Sequence, residues 1–195
     1  VVILLLACAV AAVLVVRSGW FREKVRERIV AEVEDATGGR VEVGRFSFRW
    51  ETLTATVAGF VLHGLEPADE PPLLRVESVT VGLRVISMME RKVDLSELRI
   101  DKPRLRIVIY PDGSNNLPEP RGARSGKDWA QNLVDLAVRR YAVTGGLAEV
   151  DVRKVPLNFS GEDLAVQMSR APDAARYQGE VASRRLRIAA DFMAP

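Results

Sequence analysis

The sequence predicts a mainly β protein: an N-terminal transmembrane helix and a short amphipathic helix, then a curved antiparallel β-sheet forming an open, taco-like groove. Three observations predict it. The chain opens on an apolar run, VVILLLACAVAAVLVV, with no charged side chain. The next stretch repeats its apolar residues with the period of a helix. From Arg40 onward apolar and polar residues alternate, the period of a strand with one dry face.

The opening run, Val1 to Val16, reaches only ~24 Å as a helix, short of a hydrocarbon core roughly 30 Å thick. Ser18, Gly19, Trp20 and Phe21 extend it, with Arg17 snorkelling and Trp20 and Phe21 at the headgroup level. Residues 1–19 are therefore expected to form a transmembrane anchor, part of which lies upstream because the chain begins at Val1 without a methionine. A cleaved signal peptide is the rival, since Ala7-Cys8-Ala9 and Ala9-Val10-Ala11 match small-x-small sites. Both sites lie inside the apolar run, and no polar cleavage region comes before Arg17. A lipid-attachment box at Leu5-Leu6-Ala7-Cys8 fits less well, because further apolar residues follow the cysteine. Cys8 reads as a small apolar residue.

Beyond the anchor about 180 residues remain, enough for one sizeable domain. A net charge of +2, with acidic and basic residues interspersed, gives no nucleic-acid footprint. One cysteine excludes an internal disulfide framework, and one histidine, His63, is too few for a zinc cluster. No cofactor is implied, and an enzyme is disfavoured. His63 reads as a surface or turn histidine at a strand end.

Residues 20–38 read as the amphipathic helix, Phe21, Val25, Ile29 and Val33 recurring every fourth residue among arginines, lysine and glutamates. Thr37-Gly38-Gly39 stops it. Such a helix packs on a core as an ordinary amphipathic helix, or lies at the membrane surface or covers the open end of the sheet that follows. Residues 39–195 form the sheet. Val41, Val43, Phe46, Phe48 and Trp50 mark a first strand, and Thr52 to Leu62 a second. Pro67 to Pro72 breaks the chain before Leu73 to Val85. In that third strand Val79, Val81, Leu83 and Val85 share a face, whereas Leu74 and Val76 are out of phase, which a bulge near Glu77-Ser78 would repair. A short connection over 86–92 precedes strands at Val93 to Ile100 and Arg104 to Tyr110. Pro118 to Lys127 reads as a surface loop, and Asp128 to Asp135 as a short helix. Thr144-Gly145-Gly146 is expected to turn a hairpin between Leu136–Val143 and Leu147–Val152. Leu164, Val166 and Met168, then Tyr177 to Ala182 and Leu186 to Ile188, continue the meander to an unpaired edge.

A leucine-arginine-β-branched triplet recurs, as in Leu74-Arg75-Val76 and Leu105-Arg106-Ile107. Each copy puts apolar residues on one face and a cation on the other, describing a sheet dry on one side. With few helices to cover it, the dry face either lines a groove or closes against a second sheet as a sandwich. Two local patterns carry little. Gly122 to Asp128 departs from a phosphate loop in spacing and in its last residue, and Asn158-Phe159-Ser160 matches a glycosylation acceptor incidentally.

The stretch DLSELRIDKPRLRIVIYPDGSNNLP, Asp94 to Pro118, resembles the TamB and AsmA-like proteins of bacterial envelopes through Leu98, Ile100, Pro103, Leu105, Ile107 and the turn Gly113 to Asn116. Leu133 to Leu186 is similar to that family's successive short hairpins. The resemblance implies the N-terminal portion of a longer groove, anchored once in the inner membrane with the sheet in the periplasm. It implies phospholipid acyl chains on the concave face, lipid transport between inner and outer membranes, and an outer-membrane barrel protein as a further partner. The lining residues expected are Phe60, Leu62, Val79, Val81, Leu83, Val85, Leu105, Ile107 and Ile109. The alternative is an envelope scaffold or assembly factor for outer-membrane proteins with a closed β core.

Overall fold

The computed structural model describes residues 19–85, 93–119, 138–155, 157–170 and 177–190. Among the described residues one helix, α1 (Gly19–Thr37), is followed by nine strands: β1 (Arg40–Arg49), β2 (Thr54–His63), β3 (Leu74–Val85), β4 (Val93–Asp101), β5 (Arg104–Ile109), β6 (Arg140–Val152), β7 (Leu157–Arg170), β8 (Tyr177–Ala182) and β9 (Arg185–Ala190). All nine belong to a single sheet. The β expectation agrees with this architecture, and the transmembrane helix does not. No helix among the described residues is long and apolar enough to cross a membrane. The anchor expected over 1–19 lies outside the described residues, apart from Gly19, which begins α1; the transmembrane element of the expected fold is accordingly withdrawn. Arg17 and the short helix expected over 128–135 also lie outside them.

α1 follows from its apolar stripe. Ile29, Val30 and Val33 pack against the buried cluster Val41, Val43, Leu62 and Leu73. Gly38, at φ 75°, ends the helix in the left-handed conformation and returns its N–H to the Glu34 carbonyl at 2.8 Å. Of the roles open to this helix, the structure shows it packed on the core cluster beside β1.

Two pairs of strands are each one interrupted strand. β4 and β5 pair with β3 in one register, Ile100 opposite Val79 and Leu105 opposite Leu74. Both also run parallel to β6, Ile100 beside Val143 and Leu105 beside Ala148. The sheet is therefore mixed rather than wholly antiparallel. β8 and β9 likewise continue each other along β7, with Val181 opposite Val166 and Leu186 opposite Gly161. The expected hairpin at Thr144-Gly145-Gly146 is absent: β6 runs straight through it. Gly145 sits at φ 61°, which bends the strand without reversing it.

The interruptions line up. Gly44 lies opposite Gly59, Gly59 opposite Glu77, and Glu77 opposite Lys102. Lys102 lies beside Gly145, and the line continues through Asp163 to Arg184. Four of these residues have positive φ: Gly59 at 67°, Lys102 at 47°, Gly145 at 61° and Asp163 at 53°. Left-handed backbone at the same level in successive strands creases the whole sheet across its strands. The crease switches the alternation. In β1 the inward residues are Val41 and Val43 before it and Phe46 and Phe48 after it, matching the burial along the strand. The phase break expected near Glu77 is this crease. No register shift occurs there between β2 and β3; the shift in β3 falls at Gly82/Leu83 against β4.

Candidate functional site: an apolar groove along the crease

Apolar residues run in register across the sheet on both flanks of the crease. On one flank the row is Phe46, Val57, Val79, Ile100, Val143, Val166 and Val181, one residue from each strand position. On the other it is Val41, Leu62, Leu74, Leu105, Ala148, Gly161 and Leu186. Outer rows add Ala55, Val81, Leu98, Tyr141 and Met168 on the first flank and Ile107, Val150, Phe159 and Ile188 on the second. The six spacings of about 4.8 Å between seven strand positions make this track roughly 29 Å long.

Between the rows lies a cavity of about 570 Å³, within the range of small-molecule sites. Its walls are apolar: Ile29 and Val33 from α1, Val57 and Phe60 from β2, Leu74, Val76 and Val79 from β3, and Ile100, Pro103 and Leu105 around the break between β4 and β5. β6 adds Val143 and Leu147, and β7 adds Leu164 and Val166. Most of these side chains are only half-buried. The described strands form one layer, so no second sheet lies over the face, and the sandwich expected of a closed core is not found among the described residues.

Of the expected lining residues, Phe60, Val79 and Leu105 lie in the cavity wall. Leu62 is instead in the buried cluster, and Ile107 packs against that cluster. Val81 and Leu83 continue the Val79 face beyond the cavity, opposite Leu98 and Leu95. Val85 pairs with Val93 at the far end of β3. Ile109 lies two residues past Ile107, where it bridges to Asn115. Trp20 is exposed and Phe21 half-buried at the start of α1. The sequence reading missed Val57, Leu74, Val76, Ile100, Val143, Leu164 and Val166. Leu74 and Val76 are out of phase with the Val79 face, yet the crease brings both phases into one cavity.

The opposite face is charged. Glu77 and Lys102 pair at 2.9 Å on the crease, and Asp163 and Arg184 at 3.2 Å. Arg153 donates to both carboxylate oxygens of Glu70 at 2.8 Å, donates to Asp151 at 3.1 Å, and lies 5.4 Å from the Tyr110 ring centroid. The Arg153 hydrogen bonds hold the Glu70 carboxyl below its usual range, and burial pushes the Tyr110 hydroxyl up. Asn116, 1% exposed, pins the loop after β5 to this face: it accepts from the Val108 N–H and donates to the Arg106 carbonyl, both at 2.9 Å. His63 ends β2, as expected of a histidine at a strand end, with its ring nitrogens 3.1 Å from Glu66 and 3.4 Å from Glu42. Among the described residues no group of three His, Cys, Asp or Glu converges as a metal site.

No protein-family model matches the chain, and no curated protein matches it significantly.

Proposed function

We propose that this chain is a non-enzymatic module of the bacterial envelope that holds phospholipid acyl chains in its apolar groove for transport between inner and outer membranes. One observation carries the reading: a half-open cavity of about 570 Å³ with an apolar wall, continuous with a track of apolar rows crossing the sheet. Each methylene withdrawn from water is worth about 0.8 kcal/mol. A continuous track lets a chain advance by exchanging one apolar contact for the next, without whole-chain exposure at any step. Headgroups remain in water beside the open face. The periplasmic setting and a barrel partner in the outer membrane rest on the resemblance of Asp94 to Pro118 and form part of the same proposal.

The test uses the face alternation of β5. In a Cys8→Ala background, a benzophenone attached to a cysteine at Leu105 should crosslink phospholipid in membrane vesicles several-fold more than one at Arg106, on the opposite face. Equal crosslinking at the two positions would remove the groove from the mechanism. Val79→Glu, which sets a carboxylate in the apolar wall, should lower the Leu105 signal at least tenfold, because an unpaired buried charge costs several kcal/mol.

A further inference from the structure

The two edges of the sheet are unlike. At β1 the chain's own helix takes two outward backbone groups before the crease: the Val41 N–H donates to Glu34 Oε1 at 2.8 Å, and the Val43 carbonyl accepts from Arg26 at 3.0 Å. The edge formed by β8 and β9 has no strand or helix against it among the described residues. There the apolar rows end on Val181, Leu186 and Ile188, which are 70%, 76% and 68% exposed. An exposed apolar edge is a template for another strand.

We propose that this edge pairs with the same edge of a second copy of the chain, antiparallel about a two-fold axis between Ser183 and Arg184. The sequence of the edge is self-complementary in that register. Val181 lies opposite Leu186 of the second copy, and Gly179 opposite Ile188, on the groove face. On the other face Glu180 lies opposite Arg187. Both are exposed, and neither has an ion pair among the described residues. The crease decides the register. Because the alternation switches at Ser183-Arg184, the midpoint of the edge, an antiparallel copy centred there sets crease against crease and apolar against apolar along the whole strand. The two-fold makes the contact isologous and closed. The two grooves then join end to end along one crease, roughly doubling the 29 Å track, with the helix-capped β1 edges at the outer ends. The pairing concerns the edge and is independent of what the groove carries; a strand following β9 would compete for the same edge.

Cysteine crosslinking tests it on the full chain in a Cys8→Ala background. Val181→Cys/Leu186→Cys should oxidise to a covalent dimer, since directly opposed residues have the Cα spacing a disulfide needs. Gln178→Cys/Leu186→Cys, with its cysteines on opposite faces, should give several-fold less. A monomer, or equal yields from the two variants, overturns the proposal and leaves the edge to a further strand of the chain or of another protein. A charge exchange tests the register independently. Glu180→Arg should weaken self-association roughly tenfold in sedimentation, and Glu180→Arg/Arg187→Glu should restore it. Failure of the double variant to recover also overturns the assigned register.

Discussion

Replacing Asn116 by alanine isolates what the turn after β5 does for the sheet. The side chain is 1% exposed and serves two backbone groups of β5, the Val108 N–H and the Arg106 carbonyl, each at 2.9 Å. Its own N–H donates to the Val108 carbonyl at 3.2 Å, and its carbonyl accepts from the Leu65 N–H at 2.9 Å. The residue therefore acts as a one-residue strand along β5. Alanine leaves those main-chain bonds possible but orphans a buried donor and a partly buried acceptor. At about 1–3 kcal/mol for each group left unsatisfied, and toward the low end for the partly buried carbonyl, the expected loss is ~2–4 kcal/mol. For a chain of this size that corresponds to a melting point lower by roughly 4–16 °C. Chemical denaturation of the full chain measures it as a shift in midpoint at constant slope. Asn116→Asp keeps the acceptor for the Val108 N–H but sets a second oxygen against the Arg106 carbonyl in a buried site, so near neutral pH it should not recover the loss. A change below about 0.5 kcal/mol for the alanine variant would refute the claim that this side chain completes the β5 ladder.

Gly64→Ala should act through the same contact, because a Cβ there would lie 1.9 Å from the Asn116 carbonyl oxygen; in a double-mutant cycle with Asn116→Ala the two losses should sum to clearly less than additive, and strict additivity would separate them. The Glu70 carboxyl is held low by Arg153, so its contribution to stability is present above the unfolded carboxylate pKa of about 4.3 and is lost as pH falls through the folded value. Arg153→Met should move the Glu70 titration, followed by NMR, up to the ordinary range; no movement would contradict the pairing. Burial and the neighbouring Tyr177 push the Tyr141 hydroxyl up to about 12. A raised phenol favours the folded state below pH ~10 and ceases to do so as pH rises through 12, so Tyr141→Phe should flatten the alkaline loss of stability in that window. Val79→Glu should fold with unchanged circular dichroism and lose bound phospholipid.

Parts of this architecture are legible in local pattern. The helix that stops at Gly38 follows from a stripe every fourth residue, and the strands from Val41 to Val85 follow from alternation. Val79 and Leu105 could be placed on a dry face because each opens an unbroken alternating run, and Phe60 because it shares its face with Leu62 beyond Gly59. The hairpin at Gly145 shows where local pattern misleads. Two glycines between apolar segments read equally well as a turn and as a bend within one long strand. What distinguishes them is the parallel partner, Arg104 to Ile109 beside Leu147 to Val152, which is distant in sequence. The opening apolar run reads as a transmembrane segment by hydropathy, and that expectation is not carried by the described structure, whose helix is the charged α1.

The sequence by itself determined that one face of the sheet is apolar and the other charged, since a period of two is a local property and every strand carries it. It also marked a phase change at Glu77. Only the tertiary structure decided that Glu77 stands in line with Gly59, Lys102, Gly145 and Asp163, and that the changes form one crease rather than unrelated defects. Register is set by hydrogen bonds between segments tens of residues apart, and a phase change in one strand does not reveal its neighbour. That alignment turns half-buried rows into the walls of a groove and leaves matching halves on either side of Ser183 at the open edge.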